Sequence, residues 1–600
     1  MTAMMVEDRD VQFMLYEWLR AEELLQRGRF ADHSRETFDG SIRTAQDLAE
    51  KYFDPLFKVM DDQEPEFDNG RVLMPDGVKE ALKVFADAGF MAAYHDYEHG
   101  GMQLPMVVAQ SCYMMFQGAN MSLAAYPFLT VAASNMLQGY GDEDQIARYM
   151  PGLTDGRFFG TMCLSEPQAG SGLSDIRTKA APADDGSYRI SGNKMWISAG
   201  EHDLSDNIIH FVLARIEGAP AGVKGISLFI VPKYMVEDDG SLGARNDVAL
   251  AGLNHKMGNR GTTNTLLNFG ENGECVGYLL GTPHRGLAQM FQMMNEERLG
   301  VGMLSAVMGY AGYRFSLDYA RNRPQGRHPD EGDPTTAPIP IIEHADVKRM
   351  LLAQKSYSEA SIGLCLLCAK LIDDRNTLAD EAACNDAHLL LEILTPIAKA
   401  WPSDYCLEAN NMAIQILGGY GYTREFPVEQ YYRDNRINPI HEGTNGIQGI
   451  DLLGRKISMN DGRALTLLLD RIEADISLAE SRPELAEYAS ALSAAVAEIR
   501  AASAASMAAA GEGKIRLALA NGTPFLHLVG HTVVAWIWLS YGLVADRNLP
   551  DASGTEADFY RGKLAACRYF FNWELPKTTH FAQLVRDLDT TCVDMEKDWF

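Results

Sequence analysis

Glu442 has the setting most suited to chemistry. It lies in "RINPIHEGTNGIQGID", where it is the only formally charged residue between Arg436 and Asp451. Gly443 and Thr444 follow it, and then an apolar helical pattern. A solvated acid usually has charged neighbours. A carboxylate kept in dry surroundings has a raised pKa and can act as a base. The competing reading is a helix-capping acid. A second acid, Glu297 in "MMNEERLG", directly precedes Arg298. It reads as a surface acid or as a partner of that arginine, and two carboxylates lining one pocket would push one pKa up. The one close cysteine pair, Cys365 and Cys368 in "GLCLLCAK", sits on an apolar helical run with no second pair at metal spacing. These read as core thiols in a reducing compartment, and no metal site is expected.

The chain that positions these residues has 600 of them, too many for one core, so two to four domains are expected. A net charge of −28 disfavours nucleic acid, which wants a basic surface, and argues against attraction to anionic lipid. The start, "MTAMMVEDRDVQFMLYEWL", is acidic by its seventh residue and reads as neither a secretory signal nor a transit peptide. From Leu517 to Ala545 there is no Asp, Glu, Lys or Arg. That run is long enough to span a bilayer. However, His527, His531, Thr532 and Ser540 interrupt it, and Asp546 follows where a basic flank would be expected. A buried helix at a core or subunit interface is the reading, with no membrane and a cytoplasmic location.

The hydrophobic period changes along the chain. Up to about Arg157 it is helical, as in "DGVKEALKVFADAGF". From about Thr161 to Leu280, short β-branched or aromatic runs such as "NIIHFVLARIE" and "GISLFIVPKY" alternate with turns. After Gly286 one long helix is expected, closed by the proline-rich loop from Pro324 to Pro340. Helices continue to about Ile457, and an Ala-rich helical region follows. The fold class is therefore mostly α with a central β domain, in α–β–α order plus an extra C-terminal α domain. The expected divisions are a helical arm over 1–40, then 41–157, 158–282, 283–455 and 456–600. There is no βαβ alternation, no GxGxxG and no P-loop, so a doubly wound nucleotide fold is disfavoured.

Four words now stand in order: "FGTMCLSEPQAGSGLSDIRTKA", "SGNKMWISAG", "IQILGGYGYTREFPVEQYYRDNRI" and "HEGTNGIQ". Together they resemble the acyl-CoA dehydrogenase family over roughly residues 80 to 455. The resemblance implies non-covalent FAD and desaturation of an acyl-CoA thioester. In that reaction a base takes the α-proton, and the flavin N5 takes the β-hydride. The α-proton is too weakly acidic for a carboxylate in water, so the site must polarise the thioester carbonyl and exclude water. The family's base matches Glu442, whose backbone N–H would help bind the thioester carbonyl. Gly443, which follows it in the same motif, is expected at the acyl-CoA site as well. Some members, isovaleryl-type enzymes among them, carry the base on the long helix instead, which makes Glu297 the runner-up.

The same resemblance places the flavin. Backbone of Met162, Cys163, Leu164 and Ser165, with the Ser165 hydroxyl, would hold the isoalloxazine. Trp196 would pack against it, with Ile197 and Ser198 beside it. Ser171 matches a serine near the FAD phosphates and the CoA chain. Arg323 resembles an arginine that reaches a neighbouring subunit's pyrophosphate. Gln415, Gly418, Gly419 and Thr444 resemble adenine-end contacts, and Asn295 and Arg298 match positions near the acyl-CoA. Three departures stand out. The usual "GSD" reads Gly170-Ser171-Gly172, the usual tyrosine before the base is His441, and "RxxFG" is shortened to "RPQG" at Arg323.

The two terminal extensions resemble the long bacterial members of about 600 residues, including the 3-methylmercaptopropionyl-CoA dehydrogenase-like group. In those, a homodimer is expected, with electrons passed to electron-transferring flavoprotein. An acyl-CoA oxidase and a DNA-associated flavoprotein of the same fold are the rival functions. The chain's acidity opposes the second. The acyl group is left open among straight, branched, methylthio and aromatic chains.

Overall fold

The structure, a computed structural model, describes residues 5–600, the side chain of Gln292 apart. The first four residues of the acidic start therefore lie outside the described residues. The chain forms two compact units, Arg35–Gly300 and residues 5–34 with Val301–Phe600.

In the first unit, helices Met106–Ala119, Met121–Tyr140 and Glu143–Thr154 precede the strands. Local chemistry sets their starts. The Asn120 side chain accepts from Leu123 N, and Asp142 and Gln145 cap each other reciprocally. Met106–Ala119 is buried on nearly every side, as a helix without a polar face must be. A small hairpin, Glu66–Asp68 with Arg71–Leu73, interrupts the stretch read as helical. Its turn is Asn69-Gly70, both at positive φ. That pairing favours a tight two-residue hairpin turn.

The β block is an eight-stranded sheet. Strand Tyr188–Ser198 lies inside it, antiparallel to Asn264–Phe269, Val276–Leu279 and Lys179–Pro182. Phe158–Cys163 runs parallel to Asn207–Ile216. Ile190, Ile197, Val212, Phe229, Val231 and Leu267 share one buried core.

In the second unit, Ala345–Thr377 and Glu381–Leu417 are paired long helices joined by a three-residue link, with Asp380 capping the second through Ala382 N and Ala383 N. Val428–Asn435 and Asn445–Gly454 follow. The expected long helix after Gly286 is a single one of 37 residues, Gly286–Asn322. An isolated bridge between Pro324 and Pro340 ties off the loop behind it. The uncharged run ending at Ala545 is the helix Gly522–Asn548, buried almost throughout, in a bundle with Arg463–Glu480, Ala486–Gly511, Gly554–Tyr569 and Thr578–Arg586. It is long and apolar enough to cross a membrane by length and composition, but its surface is covered by protein. Cys365 and Cys368 are buried on the Ala345–Thr377 helix, and burial raises both thiol pKa values.

Candidate active site

The Glu442 turn bridges helices Val428–Asn435 and Asn445–Gly454 in the second unit. Glu442 has φ +52° and Gly443 φ +84°. A left-handed conformation at a residue with a Cβ costs roughly 1–2 kcal/mol, so the turn must be held by its surroundings. Gln448, fully buried, does part of this. Its Nε2 donates to the carbonyls of Glu442 at 3.2 Å and Gly443 at 3.3 Å. Asn445 anchors the far side. Its Oδ1 accepts from the buried Lys399 ammonium at 2.9 Å, and its Nδ2 donates to Asp404 Oδ1 at 2.7 Å. Burial raises the Asp404 carboxyl above its ordinary range, against the pull of His527 and of that Asn445 bond. Dry surroundings are expected for Glu442 from the sequence. The structure places it half-buried, with the neighbouring Ile440 exposed.

A cleft of about 740 Å³ opens elsewhere in the same unit, lined by Arg323, Gln325, His344, Gln415 and Tyr420 along with Gly418 and Gly419. The shortened "RPQG" word still puts Arg323 there, because Ile341 N donates to Arg323 O and pins the loop. The Arg323 guanidinium lies 5.8 Å from the Tyr420 ring centre. Gly418, at φ +60° and ψ −136°, holds a backbone conformation essentially reserved for glycine. A Cβ at Gly418 or Gly419 would meet nothing within 4 Å, so both face open space. The expected adenine-end set divides here. Gln415, Gly418 and Gly419 line the cleft with Arg323, whereas Thr444 is the residue entering the helix behind Glu442.

In the first unit the two β-domain words converge. Met195 N donates to Ser165 O at 2.9 Å, and the fully buried Lys194 Nζ donates to Leu164 O at 2.9 Å. Lys194 also pairs with Glu166 at 3.0 Å. Burial works against the Glu166 carboxylate, but Lys194 and bonds from Thr178 and Arg177 N hold its pKa down to about 2. Trp196 has φ +66° and is 57% exposed. The cause is a bulge. Lys194 faces Leu267 and Ile197 faces Thr265, so Met195 and Trp196 together oppose one residue. The extra residue turns the indole outward from a strand that is internal to the sheet. Ile197 and Cys163, by contrast, bury their side chains in the core, and burial pushes the Cys163 thiol up to about 12. Leu164 is buried as well. Only the backbone of these three can face a ligand, which narrows the expected role of Ile197. Ser165 and Ser198 are half-buried. Ser171 sits exposed between Gly170 and Gly172, at each of which a Cβ would meet nothing.

On the Gly286–Asn322 helix, the Arg298 guanidinium donates to Asn295 Oδ1 at 3.1 Å, one turn back, and Arg298 is 4% exposed. Glu297 beside it is half-buried. Glu297 and Glu442 belong to different units. The sequence pattern alone does not single out Gln448, Asn445, Lys399 or the Glu166–Lys194 pair. Their signal is a polar residue at a core position of an apolar helix or strand. Among the described residues no cluster of His, Cys, Asp and Glu is arranged to hold a metal ion.

Family models for the N-terminal, middle and C-terminal domains of acyl-CoA dehydrogenase match residues 40–157, 161–271 and 284–457. An "acetyl-CoA dehydrogenase C-terminal like" model matches 468–596. The chain is 39% identical over 523 residues to 3-methylmercaptopropionyl-CoA dehydrogenase of Ruegeria pomeroyi, covering 86% of each. It is 33% identical to a butyryl-CoA dehydrogenase of Syntrophomonas wolfei, covering 99% of this chain and 98% of that one. Among solved structures, acyl-CoA dehydrogenase from Bacillus anthracis complexed with FAD superposes with a TM-score of 0.74 at 20% identity, over 96% of this chain and 91% of that one. ACDH-11 of Caenorhabditis elegans in complex with C11-CoA gives 0.77 at 16%, over 95% and 91%.

Proposed function

The chain belongs to the acyl-CoA dehydrogenase family, and on that premise we propose that it desaturates an acyl-CoA with Glu442 as the base that removes the α-proton. The observation that carries this is the Glu442 turn itself. It presents one carboxylate from a left-handed backbone position whose carbonyls are held by Gln448. FAD, bound without a covalent link, supplies the hydride acceptor. The residues fit such a group. Arg323 offers a cation for a pyrophosphate, the open backbone at Gly418 and Gly419 allows close approach, and the bulge at Trp196 offers an outward indole. Ser165 and Ser198 would hydrogen-bond the ring beside that indole. Arg298 and Asn295, with Ser171, would position the CoA thioester. Glu442 takes the proton, and its own backbone N–H donates to the thioester oxygen as negative charge develops there.

The relatives named for 3-methylmercaptopropionyl-CoA and butyryl-CoA point to a short acyl chain. Electron-transferring flavoprotein is the proposed acceptor, in the cytoplasm. A homodimer is the proposed assembly, supported by Tyr420 and Tyr422, which are 50% and 87% exposed beside the Arg323 cleft. Anaerobic mixing of the yellow protein with a panel of acyl-CoAs tests the activity. Bleaching by short acyl-CoAs, with colour restored far faster by electron-transferring flavoprotein than by air, is the expected result. Rapid return of colour in air would make it an oxidase, and no bleaching by any acyl-CoA would defeat the reading. Light scattering should give about twice the chain mass, and an active monomer would contradict the dimer.

A further inference from the structure

Three fully buried asparagines stand in single file behind the Glu442 turn, all within the second unit. Asn410, on the Glu381–Leu417 helix, donates from Nδ2 to the backbone carbonyl of Met308 at 2.8 Å. A carbonyl can only accept, so the amide nitrogen of Asn410 must face it and its Oδ1 must face the opposite way. That Oδ1 accepts from Asn435 Nδ2 at 2.7 Å. Asn435 Nδ2 also reaches the carbonyl of Ser305 at 3.4 Å, which fixes its orientation independently. Asn435 Oδ1 in turn accepts from Asn438 Nδ2 at 2.8 Å. Asn438 Oδ1 then lies 3.0 Å from His441 Nε2.

The two helix carbonyls therefore set the direction of the whole file. Each amide nitrogen points back toward Met308 and Ser305, and each amide oxygen points on toward His441. The last oxygen can be satisfied only by a donor, so the His441 proton belongs on Nε2. Reversing any member would set oxygen against oxygen in a dry site, where an unsatisfied polar group is costly. His441 is also held through its main chain, which donates to Ile437 O at 3.2 Å. The next residue is Glu442, in its left-handed conformation.

We propose that Asn410, Asn435 and Asn438 form a one-way amide relay that fixes His441 as the Nε2–H tautomer and so holds the Glu442 turn in place for proton abstraction. The relay residues and His441 are positioning residues. Their role at the turn rests on the reading of Glu442 as the base. Strain at Glu442 persists only if both ends of the turn are over-determined. Gln448 and Asn445 secure one end, and the relay secures the other through the His441 ring.

The test exploits geometry. A glutamine Nε2 lies as many bonds from Cβ as the histidine Nε2, whereas an asparagine Nδ2 stops at the reach of the histidine Nδ1. His441→Gln keeps a donor for Asn438 Oδ1, and His441→Asn does not. The proposal predicts that His441→Gln reduces its flavin with acyl-CoA within about threefold of the wild-type rate. His441→Asn and Asn438→Leu should each slow about tenfold, the size of one neutral hydrogen bond. Acyl-CoA affinity should stay nearly unchanged in all three. Nitrogen NMR of the histidine-labelled holoenzyme, with His441→Gln identifying the missing signal, should show the neutral His441 ring protonated on Nε2. Equal rates for His441→Asn and His441→Gln, or a neutral ring protonated on Nδ1, would overturn the relay. The wild-type spectrum decides even if Asn438→Leu fails to fold. The two readings fail separately. If Glu442→Gln is inactive but the ring is Nδ1–H, the relay is wrong and the base stands. If Glu442→Gln is active and the ring is Nε2–H, the base is wrong and the tautomer stands.

Discussion

Glu442 combines two features that seldom coincide, a side chain beyond glycine and a positive φ. Each makes sense if the turn aims one carboxylate at one atom, because misplacement by about 1 Å can cost 10²-fold in rate. Gln448 is the residue on which this aim depends within the turn, since one amide serves two carbonyls. Gln448→Leu should therefore destabilise the protein by about 1–3 kcal/mol, the net worth of two ordinary hydrogen bonds. It should also slow flavin reduction while leaving the bound flavin content unchanged. A denaturant midpoint and a reduction rate both at wild-type values would show that Gln448 holds nothing that matters.

Among the elements, the Tyr188–Ser198 strand joins packing to function. Its Ile197 belongs to the core and its Trp196 faces outward, and a single bulge produces both. Lys194 locks the strand to the "CLSE" segment through Leu164 O and Glu166. Removing one partner leaves an uncompensated buried charge. Lys194→Met should cost about 3–5 kcal/mol, and the double change Lys194→Met with Glu166→Leu should cost clearly less. A double variant that is additive in its losses, measured by denaturant unfolding, would mean that the two charges do not depend on each other. The sequence made the succession of elements legible because the hydrophobic period switches from helical to alternating and back. The words "MCLSE", "MWIS" and "EGT" drew attention to the candidate carboxylate and to Trp196, which the structure shows as an outward indole. The bulge was not legible, since strict alternation from the core residue Ile190 would turn Trp196 inward and Ile197 outward, the reverse of what the extra residue produces. The Glu66–Leu73 hairpin lies in a stretch whose period reads as helical, although Asn69-Gly70 is a strong turn signal. Gln448, Asn445 and the asparagine file were hidden for a physical reason. Buried amides earn their place through partners distant in the chain, such as Lys399 and Met308, and spacing along one segment does not show them.

Across the whole chain, buried charges and neutral histidines link stability to pH. In the second unit, Lys563 pairs with Asp10 at 2.6 Å and with Glu359 at 2.7 Å, tying residues 5–34 to the C-terminal helices. Burial opposes the Asp10 carboxylate, but Lys563 and Lys355 hold its pKa down to about 2. Burial is the chief cause of the other shift that matters, and with nearby cations, Lys233 and Arg245 for one and Lys577 for the other, it lowers His210 and His531 to about 3. Their unfolded value is about 6.5. The unfolded chain then binds more protons between pH ~6.5 and ~3, so this stability is present above ~6.5 and is lost as pH falls through that window. The urea midpoint should therefore drop between pH 7.5 and 5.5, well before Asp10 and Glu166 begin to be protonated. His210→Leu should flatten that drop. A midpoint that holds or rises on acidification, or an equal slope in the variant, would contradict the assignment. The central claim concerns one carboxylate, and rapid anaerobic mixing of short acyl-CoA with the FAD-loaded Glu442→Gln and Glu297→Gln variants tests it most directly. Glutamine keeps shape and hydrogen bonding but is no useful base. Flavin reduction in Glu442→Gln should fall at least ~10²–10⁴-fold with acyl-CoA still bound, and Glu297→Gln should stay close to wild type. Near-normal reduction in Glu442→Gln, with the loss falling on Glu297→Gln, would place the base on the Gly286–Asn322 helix and contradict the account.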